Sequence, residues 1–321
     1  MVEKARPQVI ALEEHYWDRE LVATYQGGDV IRAPALEQRL YDLGELRLKE
    51  MDEAGVDYQI ISHGASSAQN LPADIALPLT QRVNDRLHAA VKAHPTRFGA
   101  FAAVPTHDAK AGADELERCV TKLGFHGGML HGLANGVFLD DQRFWPIYER
   151  AEKLDVPIYF HPAAPQQVVV DRYYKEYVQV APAILSAGWG FTVEAATMAI
   201  RMVLSGVFEK HPKLKCILGH LGEGIPFLIA RMDEALSRGS KVKFRETFSA
   251  HFSVTTSGFF SNPALLCTMQ ELGIDRIMFS IDYPFAPNAK GRKFLNEVAL
   301  SPSDMAKLTH GNADALLKLK A

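Results

Sequence analysis

The chain has 321 residues, of which 47% are apolar and 23% charged, with a formal net charge of −3. That apolar share supplies a large core, and the lack of any block of like charge argues against nucleic acid or an anionic membrane surface as a partner. Cys119, Cys216 and Cys267 are odd in number, far apart and set in apolar surroundings, which argues against a disulfide framework or a thiolate zinc cluster.

The opening MVEKARPQV lacks the apolar centre of a secretion signal, and no later run reads as long enough to cross a bilayer. A soluble, cytoplasmic protein is expected. Apolar runs then recur along the chain. The first is VIALEEHYW, Val9 to Trp17, read as a strand; alternation places Glu13 and His15 on one face and Glu14 on the other. Loop-like sequence follows, from Gln26 to Pro34. LEQRLYDLGELRLKEMDEAG has apolar residues at helical spacing and closes on Gly55. DYQIISHG, Asp57 to Gly64, is the second strand. The helical ALPLTQRVNDRLHAAVKAHP ends before Pro95, and FGAFAAVP, Phe98 to Pro105, is the third strand. DAKAGADELERCVTKLG stops at Gly124 and precedes FHGGMLHG, Phe125 to Gly132, the fourth. DQRFWPIYERAEKLD leads into PIYFHPAA, Pro157 to Ala164, the fifth. A second long loop, Pro165 to Gly188, comes before the helical FTVEAATMAIRMVLSGVFEKHP. The last three strands are KCILGHLG (Lys215 to Gly222), HFSVTTSG (His251 to Gly258) and IMFSIDYP (Ile277 to Pro284).

Eight near-continuous apolar strands alternating with helices predict a (β/α)8 TIM barrel, with an open doubly wound sheet as the alternative. A single domain over residues 1–321 is expected, with loops at about 24–40 and 165–188 over the C-terminal mouth. No glycine-rich phosphate loop follows a strand, so nucleotide binding is not expected.

In such a barrel the C-terminal strand ends carry the chemistry. Glu13 and His15 end the first strand, His161 the fifth, His220 the sixth and Asp282 the eighth. Each alone suits an ordinary structural role; together they put five ionisable groups at one mouth. Glu13, His15, His161 and Asp282 offer two nitrogens and two oxygens, a set suited to one Zn²⁺, Mn²⁺ or Fe²⁺. A second ion would want a bridging group such as a modified lysine on the fourth strand, which ends GGMLHG and has none. Glu223, three residues after His220 at the predicted start of the next helix, is placed to orient that imidazole.

The motifs ALEEH, RFGAFAAVP, LDVPIYFHP, GVFEKHPKLKCILGHLGEGIPFLIARMD, VTTSG and RIMFSIDYPF resemble the amidohydrolase superfamily over nearly the whole chain. The resemblance is to its metal-dependent decarboxylases of the γ-resorcylate, 5-carboxyvanillate and aminocarboxymuconate semialdehyde type. The first ligand is Glu13, as in the γ-resorcylate group, where hydrolytic members carry His-x-His. The resemblance implies Glu13, His15, His161 and Asp282 as metal ligands, Asp282 as proton donor, His220 as the acid–base histidine and Glu223 as its partner. It implies one divalent metal per subunit, Zn²⁺ or Mn²⁺, no organic cofactor, and a homodimer or homotetramer. The expected reaction is reversible, non-oxidative loss of CO₂ from a small hydroxybenzoate-type aromatic acid. A metal-dependent hydrolase, a lactonase or amidohydrolase on a small cyclic substrate, is the alternative. Arg231, in IARMD, matches an arginine expected near the substrate. His63 and His131 stand where asparagine-like residues are expected in the γ-resorcylate group, and both read as substrate contacts. Trp189 and Phe191 read as aromatics for stacking on a ring.

Overall fold

The structure, a computed structural model, describes residues 8–25 and 33–319. Among these, nine strand segments run in parallel: β1 (Ile10–Tyr16), β2 (Tyr58–His63), β3 (Phe98–Ala100), β4 (Ala102–Ala103), β5 (Gly128–His131), β6 (Pro157–His161), β7 (Lys215–Leu218), β8 (Phe252–Thr255) and β9 (Ile277–Met278). They hydrogen-bond in the orders β1-β2-β3 and β4 through β9. β3 and β4 are one strand interrupted at Phe101, where the chain changes partners. The Phe101 N–H donates to Ile61 O at 2.9 Å, and the Ala102 N–H donates to Gly127 O at 2.9 Å. The eight expected strands are therefore all present, each followed by helical segments.

Between β9 and β1 the seam is held differently. One main-chain bond crosses it, from His15 N to Tyr283 O at 2.6 Å. Glu13 N also donates across it to Ser280 Oγ at 2.7 Å, and the buried Glu14 carboxylate supplies further bonds. It accepts from the main-chain N–H of Ile281 at 2.9 Å and of Tyr283 at 3.2 Å, and from Ser280 Oγ and Gln59 Nε2. Burial pushes this carboxyl up to about 8 against those donors. Beside it, Arg47 is fully buried, donates to His15 O at 2.5 Å and stacks 4.6 Å from the Tyr283 ring.

Side-chain parity sorts the core. Ile10, Leu12, Ile60, Phe101, Met129, Tyr159, Ile217 and Met278 form one inner cluster, capped by Ala313 and Leu317 of the C-terminal helix Asn312–Leu317. Their strand neighbours Ala11, Ile61, Leu130, Phe160 and Leu218 belong to the outer layer against the helices. β1 breaks strict alternation. Its register with β2 shifts between Ala11 and Glu14, a bulge that gives the strand one extra residue. Leu12 therefore joins the inner cluster while Glu13 and His15 also face inward, and Glu14 turns to the seam.

Several sequence expectations are corrected. The helix expected as one piece from 36 to 55 is two, Pro34–Tyr41 and Glu45–Ala54. Asp42 breaks it: its Oδ1 accepts from Gly44 N and Arg47 N, a local competitor to the helical bonds. Gly55, at φ 65°, ends the second helix as expected. The loop expected at 26–34 falls mostly outside the described residues. The 165–188 loop is not structureless: it carries short helical turns at Gln167–Val169, Val170–Tyr174 and Pro182–Leu185. The expectation that no run could span a bilayer also needs correction. Pro182–Leu204 is long and apolar enough by length and composition. Non-helical dihedrals at Ser186 and Trp189 break it, and Glu194, Met198 and Met202 of helix Gly190–Leu204 are buried on the barrel.

The seam generates a prediction. Glu14→Gln keeps the shape but turns an acceptor edge into an N–H₂ facing main-chain donors. Chemical denaturation should show a loss of roughly 1–3 kcal/mol, the cost of leaving buried hydrogen-bonding groups unsatisfied. A change under 1 kcal/mol would mean the seam closes without this carboxylate.

Candidate metal centre

Inward parity brings Glu13, His15, His161 and Asp282 together. One ligand-capable atom from each lies within 4.8 Å of all the others. His161 Nε2 is 3.2 Å from Glu13 Oε1, His15 Nε2 is 3.3 Å from Asp282 Oδ1, and the two imidazole rings meet edge to face at 4.7 Å. Glu13 Oε1, His15 Nε2 and Asp282 Oδ1 are buried and have no hydrogen-bond partner among the described residues. Buried polar atoms are normally paired, and three converging lone-pair atoms fit a cation of the N/O-ligated class.

The supporting contacts decide which atoms are left for the ion. His161 Nδ1 lies 2.6 Å from Pro162 O, so that nitrogen must carry the hydrogen and Nε2 keeps its lone pair. Ser62 Oγ stands 3.3 Å from His15 Nδ1 and can accept from it when Nε2 is the free nitrogen. Glu13 Oε2 accepts from the hydroxyls of Tyr159 and Ser257. Those hydroxyls are tied to each other and to Thr255, whose Oγ1 is 2.6 Å from both the Tyr159 and the Ser257 oxygen. The hydroxyl cluster occupies one carboxylate oxygen and leaves Oε1 to the cluster of ligands. Gly219 makes room for it: a Cβ there would sit 2.8 Å from Glu13 Oε2. Ser62, Tyr159, Thr255 and Ser257 were missed by the sequence reading. Strand parity was the available signal, since Tyr159 lies two residues before His161 on the same face.

The charges are strongly coupled. Burial alone would raise the Glu13 carboxyl, but His220 and the imidazoles of His15 and His161 outweigh it and hold it well below the usual range. Burial would lower His15, yet Asp282 and Glu13 lift it to about 9. Burial raises Asp282, opposed by His15.

His220 follows β7 at the same mouth. Residues 220 to 224 all have positive φ: His220 at 49°, Leu221 at 53°, Gly222 at 83°, Glu223 at 53° and Gly224 at 75°. The helix expected to start near Glu223 begins instead at Ile225. This left-handed turn folds Glu223 back, so its Oε1 lies 2.7 Å from His220 Nδ1. Burial would lower the His220 imidazole, but Glu223 and then Glu13 raise it to about 10.

The remaining expected contacts divide. His131 ends β5 in register with His161 of β6, and their rings lie 4.8 Å apart. Phe191 stands 6.4 Å from the His161 ring and lines a pocket beside it with Ala65, Leu133 and Ala163. Phe285, not foreseen, is 5.7 Å from the His15 ring. His63 is a correction. It follows inward-facing Ser62 and so points outward, where its Nε2 accepts from Asp18 N at 2.9 Å and its Nδ1 donates to Gly64 O at 2.8 Å. With both nitrogens used, it braces the chain after β1 and has none left for a substrate. Arg231 is exposed on helix Ile225–Ser237, and Trp189 is 54% exposed at the start of helix Gly190–Leu204; neither makes an ion pair or ring contact with the cluster.

A family model described as amidohydrolase matches residues 14–319. The chain belongs to this amidohydrolase family. Among amidohydrolase relatives, the γ-resorcylate decarboxylase of Polaromonas sp. (strain JS666) is 36% identical over 97% of this chain and 98% of its own. The crystal structure of dihydroxybenzoic acid decarboxylase from Polaromonas sp. JS666, with bound manganese and the inhibitor 2-nitroresorcinol, superposes with a TM-score of 0.90 at 35% identity, covering 98% of both chains. That of 5-carboxyvanillate decarboxylase from Sphingomonas paucimobilis gives a TM-score of 0.91 at 31% identity, covering 98% of this chain and 100% of the other. The expected amidohydrolase-type barrel is thus the fold of this chain.

The corrected role of His63 gives a pH prediction. Burial pushes this imidazole down to about 4 from its ordinary 6.5. The unfolded chain takes up a proton near pH 6.5 and the native protein does not until about pH 4. Stability is therefore full above pH 6.5 and falls as pH drops through that window. At pH 4.5 the loss from this group is roughly 2–3 kcal/mol. In His63→Gln, whose amide oxygen can still accept from Asp18 N, the stability difference between pH 7 and pH 4.5 should shrink by about that amount, read by urea denaturation. An unchanged difference would show that His63 titrates normally in the folded protein.

Proposed function

We propose that this protein is a metal-dependent, non-oxidative decarboxylase of a hydroxybenzoate-type aromatic acid. The observation that carries the reading is the set of inward-facing atoms Glu13 Oε1, His15 Nε2, His161 Nε2 and Asp282 Oδ1, three of them buried without a hydrogen-bond partner. Relatives alike over nearly their full length are γ-resorcylate decarboxylases, and one solved relative has bound manganese. Glu13, His15, His161 and Asp282 are the residues that would hold one divalent ion, Mn²⁺ or Zn²⁺, and no step of the reaction calls for an organic cofactor. The bound ion supplies positive charge that orients and neutralises an ortho-hydroxybenzoate through its carboxylate and phenolic oxygens.

The chain's own residues then handle the protons. Direct loss of CO₂ would leave an aryl anion of very high energy. Asp282 instead gives its carboxyl proton to the ring carbon that bears the carboxylate. His220, held as an imidazolium by Glu223, donates to the phenolic oxygen and stabilises the charge that builds there while the ring is dearomatised, and water reprotonates Asp282 after CO₂ leaves. The carbon–carbon bond breaks, its electron pair restores the aromatic ring, and CO₂ leaves. Reversal carboxylates the phenol at high bicarbonate. Phe191 and Phe285 flank the ring.

A matched pair of variants tests this reading. His161→Ala should lose most of its manganese by metal analysis while the far-ultraviolet dichroism is unchanged. Asp282→Asn, loaded with manganese, should still bind the acid by calorimetry but release CO₂ at least roughly 10²–10⁴-fold more slowly, the span for a lost general acid. Near-normal CO₂ release from Asp282→Asn would remove it as proton donor. Ring-opened acids from lactones, with no CO₂ from a hydroxybenzoate panel, would replace the lyase with a hydrolase.

The 165–188 segment exposes Tyr173, Tyr177 and Val180, with Trp189 just beyond it. Apolar surface of this kind suits burial in an assembly, which supports the reading of a homodimer or homotetramer. Light scattering should give a mass of two or four times 35.5 kDa; a single-chain mass at working concentration would rule the assembly out.

A further inference from the structure

Among the described residues two asparagines are buried. Asn84 spends both ends of its amide: Nδ2 donates to Ala103 O at 3.0 Å and to Glu115 Oε1 at 2.8 Å, and Oδ1 accepts from Ala103 N at 3.0 Å. Asn288 departs from this. It is 4% exposed at the first position of helix Asn288–Glu297, and neither its Nδ2 nor its Oδ1 has a hydrogen-bond partner among the described residues. Asn312 opens its own helix in the same way, yet gives its Nδ2 to Ile274 O and Ile277 O, both at 2.7 Å. The place in the helix therefore does not account for the stranded amide. Buried polar groups are normally paired, and leaving one unpaired costs stability.

Asn288 lines a groove of about 600 Å³ between the segment 283–289 and helices Pro34–Tyr41 and Glu45–Ala54. None of the four proposed metal ligands lines it. That volume suits a small molecule, and Leu36, Pro284, Phe285 and Pro287 give the groove apolar walls. Its charges are already spent. Arg39 holds Glu50 through Nε at 2.9 Å and Nη2 at 2.8 Å, and its Nη1 donates to Ala35 O at 3.0 Å. Glu53 adds a negative charge at the exposed edge, 3.9 Å from Lys49. An anion finds no free cation here, and an ammonium buried against the neutral Asn288 finds no countercharge. A carboxylate can only accept, so it would leave the Asn288 oxygen stranded. A hydroxyl can give its hydrogen to that oxygen or accept from the amide nitrogen, and a ring with two hydroxyls can do both.

We propose that this groove is a second ligand site, outside the mouth, for an uncharged hydroxyarene whose hydroxyls pair with the Asn288 amide, and that the phenol released by the reaction acts through it as a feedback inhibitor. The feedback step rests on the decarboxylase reading above; the binding site does not. The groove and the mouth share a wall. Phe285 lines the groove and stands 5.7 Å from the His15 ring. Tyr283 and Pro284, also in the wall, follow Asp282 directly, and Tyr283 O accepts from His15 N at 2.6 Å. An occupant pressed against Pro284 and Phe285 bears on the segment that carries Asp282.

Calorimetry with resorcinol, benzoate and anilinium on the His161→Ala protein separates the groove from the metal centre. Resorcinol should bind at one per chain with a Kd of about 1 mM or tighter, and the two charged rings at least about 10-fold more weakly. Asn288→Leu should weaken resorcinol at least about 10-fold. The same variant should unfold at a higher urea concentration than its parent, because it removes an unpaired amide from the interior. A lower urea midpoint would mean that the amide is already satisfied in the free protein, and overturns the proposal. So does resorcinol binding that is absent in His161→Ala or undiminished in Asn288→Leu, and so does tighter binding of either charged ring. In the manganese-loaded wild type, resorcinol should lower kcat for CO₂ release, and Asn288→Leu should remove that effect; a rise in KM alone would place resorcinol in the mouth and overturn the feedback step. Absence of CO₂ from every hydroxybenzoate tried would instead sink the decarboxylase reading, while the groove still stands or falls by calorimetry.

Discussion

The arrangement hangs on a carboxylate that does no chemistry. Glu14 spans the seam where the last strand meets the first, accepting from two main-chain N–H groups on the Ile281–Tyr283 side. β9 is only two residues long, so little ladder exists there to close the ring. The carboxylate takes the place of the absent rungs. Asp282 lies between the two residues it grips, and Glu13 and His15 flank it in sequence. Three of the four groups proposed to hold the ion, Glu13, His15 and Asp282, are therefore set by one buried interaction from two opposite ends of the chain. Arg47 completes it by fixing the His15 carbonyl from below.

Much of this was legible in the sequence. The strands, most helices and the convergence of Glu13, His15, His161, His220 and Asp282 follow from apolar periodicity and the rule that barrel chemistry sits at C-terminal strand ends. Legibility failed where side-chain parity mattered more than position along a strand. His63 ends its strand just as His161 does, but Ile60 and Ser62 own the inward face, so His63 points out. His131 shares parity with Met129 and points in. The bulge in β1 was the least readable feature: a single extra residue lets Leu12 fill the barrel and Glu13 still reach the mouth, and nothing in VIALEEHYW marks it. The Asp42 break in the helix after β1 was more accessible, since aspartate is known to compete for nearby main-chain donors.

The same parity explains why the hydroxyl cluster escaped notice. Tyr159, Thr255 and Ser257 read as ordinary strand residues, and none is a metal ligand. Their role is to decide which oxygen of Glu13 is spent internally. A carboxylate with one oxygen committed to two hydroxyls, themselves tied to Thr255, presents a single, directed oxygen, which is what a site that must also admit a chelating substrate requires. The ion-facing atoms are thus defined by their neighbours' hydrogen bonds as much as by their own identity.

The turn from His220 to Gly224 is a short piece of mirror-image helix in a right-handed molecule. L-residues resist this hand by about 1–2 kcal/mol each, and three of the five are not glycine. The cost is met where it serves geometry: after a left-handed turn the chain can present an imidazole and a carboxylate three residues apart to each other, locked, with the following helix starting afresh. Such a turn does not flex by degrees, because its neighbouring conformations lie across a steric barrier. The acid–base pair is therefore born aligned when the protein folds, and a valine or isoleucine at 221 or 223 would be rejected by backbone shape alone, with no reference to the chemistry carried on either side.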